Sequence, residues 1–215
     1  MKPVLIVLVA LVVASAALAA GVLLRNAMNG QSKGGGGVQA TAGGTNAAGK
    51  AAPGGRAEVS PEVEARTIRI AAGRSATLKD SQGHVWLADK GFEGGSTIDR
   101  PELYVTGTKI PELYRAERYS MSGYSIAVPN GTYAVKLHFA ECYDGNHDPS
   151  ARIFNFSVQG KEYKDFSPWK AAGAQFKAYV ETVNPVAVTD GKLKIKFTAV
   201  AENAQICGIE VVPVE

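Results

Sequence analysis

Tyrosine and carboxylate recur together at the ends of apolar runs. Glu141 and Tyr143 close the run that Tyr133 opens, Tyr114 and Tyr119 flank Arg115, Glu117 and Arg118, and Phe92 lies between Asp89 and the pair Gly94-Gly95. An aromatic ring beside carboxylate, amide and guanidinium groups suits a ligand with an apolar C–H face ringed by hydroxyls, the surface a sugar presents. Half-buried tyrosine is also an ordinary packing residue, and residue type alone leaves both roles open. Signals for catalysis are weaker. There is no G-x-S-x-G, H-E-x-x-H, P-loop or C-x-x-C. Of the scattered His84, His138 and His147, His138 falls mid-strand opposite the core parity and is expected at the surface or in a cleft. A small glycoside hydrolase would need two of Glu141, Asp89 and Glu202 to converge, and nothing in their spacing marks a pair. Asp144, Asn146 and Asp148 have the D-x-N-x-D spacing of a calcium loop, but Pro149 takes the place of the Gly and Asn155 that of the bidentate Glu. A solvated polar loop is expected there and no cofactor, with a sandwich-type calcium site as the lesser alternative.

The elements that must position these residues read as strands. Tyr133, Val135, Leu137 and Phe139 alternate with Ala134, Lys136, His138 and Ala140, and Leu193, Ile195 and Phe197 with Lys192, Lys194 and Lys196. Phe154, Phe156 and Val158 repeat the pattern. Further strands are expected at Thr67–Ala71, His84–Ala88, Tyr124–Val128, Phe176–Val183 and Ile206–Val212. Pro129-Asn130-Gly131 and Thr189-Asp190-Gly191 read as hairpin turns. Only Pro111–Arg118 has helical spacing, enough for a turn or two. Eight or more short strands predict an all-β chain, an antiparallel β-sandwich with the jelly roll as first choice.

The 215 residues divide unevenly. All 17 aromatic residues fall between Trp86 and Phe197, so the packed core is C-terminal. Residues 1–57 carry five basic side chains and no acid, while 58–215 carry 18 basic against 20 acidic. The basic excess therefore lies outside the globular part, which removes the support for a nucleic-acid partner. Pro3 to Leu24 is free of charge and long enough to cross a bilayer as a helix. Residues 1–25 are a retained membrane anchor or, with Ala17-Leu18-Ala19 as cleavage site, a signal peptide. Either places the domain outside the cytoplasm, membrane-tethered or secreted. Residues 26–65, with four glycines in a row from Gly34, read as a flexible disordered tether, and 66–215 as the folded domain. In an oxidising compartment Cys142 and Cys207 either pair or remain two separate thiols. Cys207 shares parity with Ile209 and Val211 and is expected in the core.

Several blocks together resemble one family. Ile68-Arg69-Ile70-Ala71-Ala72-Gly73, Trp86-Leu87-Ala88-Asp89 with Gly94-Gly95, Leu113-Tyr114-Arg115-Ala116-Glu117-Arg118-Tyr119, the run from Tyr133 to Tyr143, Arg152-Ile153-Phe154-Asn155-Phe156, and Ile206-Cys207-Gly208-Ile209-Glu210-Val211 look like successive blocks of a malectin domain, in order over 66–215. The resemblance implies a galactose-binding-like, carbohydrate-binding jelly roll without catalysis of its own, whose partner is an oligosaccharide or glycan. By position, Tyr119 and Tyr143 match the family's sugar-stacking tyrosines, and Glu202, before Asn203, falls where the family places a hydrogen-bonding Asp. Asp144 stands where the animal protein has a second aromatic. Asp89, Phe92, Arg118 and Glu141 are expected to support the site, Glu141 as a buried partner of Arg118. The alternative for the same fold is an ectodomain that binds a protein partner at the cell envelope.

Overall fold

Leu193, Ile195 and Phe197 turn inward while the lysines between them face solvent, and this two-residue period organises the fold. The computed structural model describes residues 60–214. The anchor or signal expected at 1–25, and the tether as far as residue 59, lie outside the described residues. Among the described residues no helix is long and apolar enough to cross a membrane. The end of the expected tether is structured: Pro61–Arg66 forms helix α1, with Ser60 as N-cap accepting from the Val63 amide at 3.3 Å.

The strands are β1 (Ile68–Ala71), β2 (Leu78–Lys79), β3 (Val85–Trp86), β4 (Phe92–Asp99), β5 (Ala116–Ala127), β6 (Gly131–Phe139), β7 (Ile153–Val158), β8 (Lys161–Phe166), β9 (Tyr179–Val188), β10 (Lys192–Ala201), β11 (Gln205–Ile206) and β12 (Gly208–Pro213). Pro111–Arg115 is a 3-10 turn and Pro168–Ala172 a short helix, α2. Nearly all of the described chain is β, in antiparallel sheets that pack as a sandwich. One sheet has the order β1-β12-β6-β9. In the other, β5 pairs with β4 along one side and with β11 and then β10 along the other, and β7 and β8 follow β10. The main core lies between them, with Phe139, Phe154, Phe156 and Phe166 packed ring against ring. A second cluster joins Trp86, Leu113, Tyr114, Cys142 and Cys207.

Neither expected hairpin turn makes a hairpin. Pro129-Asn130-Gly131 carries the chain from β5 to β6 and Thr189-Asp190-Gly191 from β9 to β10, each passing from one sheet to the other. They lie side by side, with Asn130 Oδ1 accepting from the Gly191 amide at 2.8 Å. A tight hairpin forms instead between β7 and β8 through Gln159-Gly160, both at positive φ. Of the two positions expected for His138, the cleft is the one found: the ring is buried and lies on the floor of a groove in the four-stranded sheet. Its Nδ1 faces the Tyr114 hydroxyl at 2.8 Å and its Nε2 the Glu210 carboxylate at 3.0 Å, and Trp86 packs edge-on against the ring. Cys207 is buried too, but in the second cluster with Cys142, because the chain bends between β11 and β12 and breaks the parity it would share with Ile209. The two thiols are free.

Candidate functional site

Adjacent residues on a strand face opposite sides, so β5 sends Arg118 and Tyr119 apart. Arg118 lies opposite the core residue Ile206 and Tyr119 opposite Gln205. On the Arg118 side, its Nε donates to Asp89 Oδ2 at 2.6 Å, Nη1 donates to the carbonyls of Gly94 and Gly95, and the guanidinium lies 3.4 Å over the Phe92 ring. Asp89 also accepts from the Gly73 amide and the Tyr124 hydroxyl. Asp89, Phe92 and Arg118 thus come together with one another and tie β4 to β5. They stand behind the strand that carries Tyr119. Phe92 keeps an open face, at 41% exposure.

On the Tyr119 side lies Glu117, two residues earlier in the same strand and buried. Arg100 donates to it at 3.3 Å. Burial pushes the Glu117 carboxyl above its ordinary value, more than the charges of Arg100 and Arg152 pull it down, and neighbouring Glu141 adds to the rise. Glu141 stands to Tyr143 as Glu117 stands to Tyr119. It is only 1% exposed, its Oε1 accepts from the Tyr143 amide at 3.0 Å, and its Oε2 accepts from Arg152 Nε at 2.7 Å. The expected partnership of Glu141 with Arg118 is therefore wrong. Arg118 is taken by Asp89 on the other face of β5, and Glu141 is neutralised by Arg152.

Arg152 also donates, through Nη1, to the carbonyl of Asn203. Its neighbour Glu202 is exposed, at positive φ, and accepts from the Asn203 amide group at 3.0 Å. Ser120 donates its amide to the Ala204 carbonyl at 3.0 Å. The 202–204 loop is thus held to β5 next to Tyr119 on one side and to the segment ending in Tyr143 on the other. Tyr143 is 47% exposed, its ring lies over Gly145, and its carbonyl accepts from Gln175 at 2.9 Å. Asp144 is exposed beside it. Asp148 turns its carboxylate onto Ser150, and Asn146 is buried, so the D-x-N-x-D residues form no cluster. Among the described residues no three His, Cys, Asp or Glu side chains are grouped to hold a metal. Tyr119, Tyr143 and Asp144 therefore stand beside the loop that carries Glu202 and Asn203, next to two buried acids, Glu117 and Glu141, and two arginines, Arg152 buried and Arg100 partly exposed. Glu117, Arg100 and Arg152 were missed as members. The repeated Glu-x-Tyr spacing at 117–119 and 141–143 was the available signal.

Residues 66–212, which carry all of this, match the family model described as Malectin domain. The chain belongs to the malectin family. The malectin domain is 26% identical over 141 residues to a kinesin-like protein of Arabidopsis thaliana, covering 65% of this chain and 13% of that protein. It is 34% identical over 120 residues to a probable LRR receptor-like serine/threonine-protein kinase of the same plant, covering 53% of this chain and 12% of the relative. The chain thus spans about one-eighth of the length of these relatives, and sharing the malectin domain with them assigns it no activity of theirs. Among solved structures, a β-glucuronidase of Bacteroides uniformis superposes with a TM-score of 0.63 at 19% identity, over 71% of this chain and 19% of that one. The ANXUR2 extracellular domain of Arabidopsis thaliana gives 0.59 at 15% identity, over 69% and 48%. At these identities the likeness is one of fold.

A separate concavity of the malectin domain lies elsewhere. A groove of about 1300 Å³ crosses the four-stranded sheet, floored by Arg69, Glu210, Lys136 and His138 and bordered by Glu64 of α1. In register across β1, β12, β6 and β9 run Arg69, Glu210, Lys136 and Thr182. Its charges are largely spent on one another: Arg69 holds Glu64 through both terminal nitrogens, and Glu210 takes Arg69, His138 and Lys136. None of the sugar-site residues expected from the sequence lines it.

Proposed function

We propose that the malectin domain is a non-catalytic carbohydrate-binding module with a jelly-roll fold, which recognises an oligosaccharide at the end of the sandwich where Tyr119 and Tyr143 lie. Tyr143 and Tyr119 supply stacking surfaces. Glu202, Asn203 and Asp144 supply hydrogen-bonding groups for ring hydroxyls. The observation that carries this is the placement of both tyrosines beside one loop, each two residues past a buried glutamate of the same arginine-neutralised set. Of the three carboxylates a hydrolase could draw on, two are occupied, Glu141 by Arg152 and Asp89 by Arg118 and Tyr124. The segment at 1–25 would hold the module outside the cytoplasm as a membrane anchor, or release it if cleaved, and residues 26–59 would tether it.

A glycan array followed by titration calorimetry tests the proposal. The native domain is expected to bind a defined set of oligosaccharides, and the Tyr119→Ala/Tyr143→Ala double variant to lose them while keeping its melting temperature. No binding to any glycan, or binding untouched by the double variant, would sink it. A second reading is favoured by one observation: all eight residues of the edge strand β4 are exposed, which leaves a strand edge open to a protein partner at the envelope. Capture of an envelope protein that survives saturating glycan and fails when proline replaces Thr97 would support that role instead.

A further inference from the structure

The two halves of the proposed sugar site come from different sheets. Tyr143 and Asp144 follow β6 of the four-stranded sheet, whereas Glu202 and Asn203 lie between β10 and β11 of the other. Their separation is therefore fixed by whatever crosses the end of the sandwich. Arg152, the residue before β7, is 4% exposed and crosses it. Its Nε is held by the Glu141 carboxylate at 2.7 Å, the other oxygen of which fixes the Tyr143 amide at 3.0 Å, and its Nη1 grips the Asn203 carbonyl. One guanidinium and one carboxylate thus link the backbone of Tyr143 to the backbone of Asn203 through three hydrogen bonds. A planar fork with fixed donor directions suits that task, and a lysine ammonium, a single point charge, does not span both acceptors.

We propose that Arg152 is the positioning residue of the carbohydrate site, setting the gap between the Tyr143 loop and the Glu202-Asn203 loop and through it the affinity for glycan. This rests on the sugar-binding reading of the same site. Arg152 does not meet the ligand. It works through Glu141 and Asn203. The buried pair is also costly to break on one side, since that leaves a desolvated charge, so stability and positioning must be separated in the test.

Arg152→Lys keeps the charge and is compared with Leu193→Ala, which empties a fully buried site on β10 near the Gly191 turn. Calorimetry with the glycan found on the array, melting temperature and amide hydrogen exchange are measured on each. Arg152→Lys is expected to weaken glycan binding about tenfold or more and to speed exchange of the Tyr143 amide. Leu193→Ala is expected to lower the melting temperature at least as much with affinity within about twofold of native. If Arg152→Lys does not fold, Glu141→Gln leaves an oxygen for the Tyr143 amide, loosens the grip on Arg152, and should shift both readings in the same direction. Native affinity in these variants, an unchanged Tyr143 amide, or an equal loss in Leu193→Ala overturns the inference. A native domain that binds no glycan removes the sugar-binding reading itself, and Tyr143 exchange then still decides whether Arg152 positions the loop.

Discussion

The ring of Tyr143 rests against Gly145: a Cβ built on that glycine would lie 2.5 Å from the ring's Cζ. No side chain at position 145 coexists with the ring where it stands, so the glycine holds open the place in which Tyr143 presents its face. Gly145→Ala is expected to swing the ring away and weaken glycan binding by about fivefold or more, roughly 1 kcal/mol. The loop is exposed, so the melting temperature should barely move. Calorimetry and thermal unfolding on one sample check both. Unchanged affinity would mean that Tyr143 is not a stacking surface.

Glu117 makes stability depend on pH in an unusual direction. Its carboxyl is raised in the folded protein, so the folded state holds its proton at pH values where the unfolded chain has lost it. Its ionisation costs stability as pH rises from the ordinary glutamate range, 4.5, through the raised value. Glu117→Gln keeps the neutral shape. The variant should be the more stable protein above that window, with the two curves converging as pH falls below it. Urea denaturation between pH 4 and 8 measures the difference. A variant less stable than native at neutral pH would show that the ion pair with Arg100 outweighs the cost of burial.

Glu210 works with the opposite sign. Burial opposes its ionisation, but the hydrogen bond from His138 and the charges of His138, Lys136 and Arg69 outweigh burial and lower the carboxyl from 4.5 to about 2. A lowered carboxylate stabilises the fold above its unfolded value and ceases to do so as pH falls through the folded one. The native domain is expected to lose up to about 3 kcal/mol from this group between pH 4.5 and 2. Glu210→Gln should be less stable than native at pH 6 and should lack that part of the acid transition. Denaturant midpoints across the range test it, and parallel curves for the two proteins would refute the assignment.

The strands that alternation marks most plainly in the sequence are those buried mainly on one face. In β6 and β10 every second residue is apolar, and the sandwich uses them as the period suggests. Strand β4 leaves no such trace, because all eight of its residues are exposed and Gly94 and Gly95 stand at positive φ. The Asn130-Gly131 and Asp190-Gly191 turns are equally legible as turns, but local chemistry cannot say which sheet the next strand joins. The proposed site divides in the same way. Tyr119, Tyr143 and Glu202 are readable from local blocks, whereas the partner of Glu141 depends on how β7 meets the end of β6. Arg118 and Arg152 are both arginines beside apolar strands, and only register tells them apart.

Cys142 and Cys207 lie in one apolar cluster with Trp86 and Tyr114, both free and both nearly inaccessible. Burial raises both thiols, Cys142 up to about 12 and Cys207 well above its usual range. The reactive thiolate is therefore scarce at neutral pH, and reagents cannot reach the sulfur without opening the cluster. A thiol-specific chromogenic reagent should read about zero thiols in the native domain and about two after unfolding in denaturant without reductant. Zero after unfolding would reveal a disulfide. Prompt labelling of the native protein would mean that the cluster opens readily, and with it the packing under Tyr114 and His138.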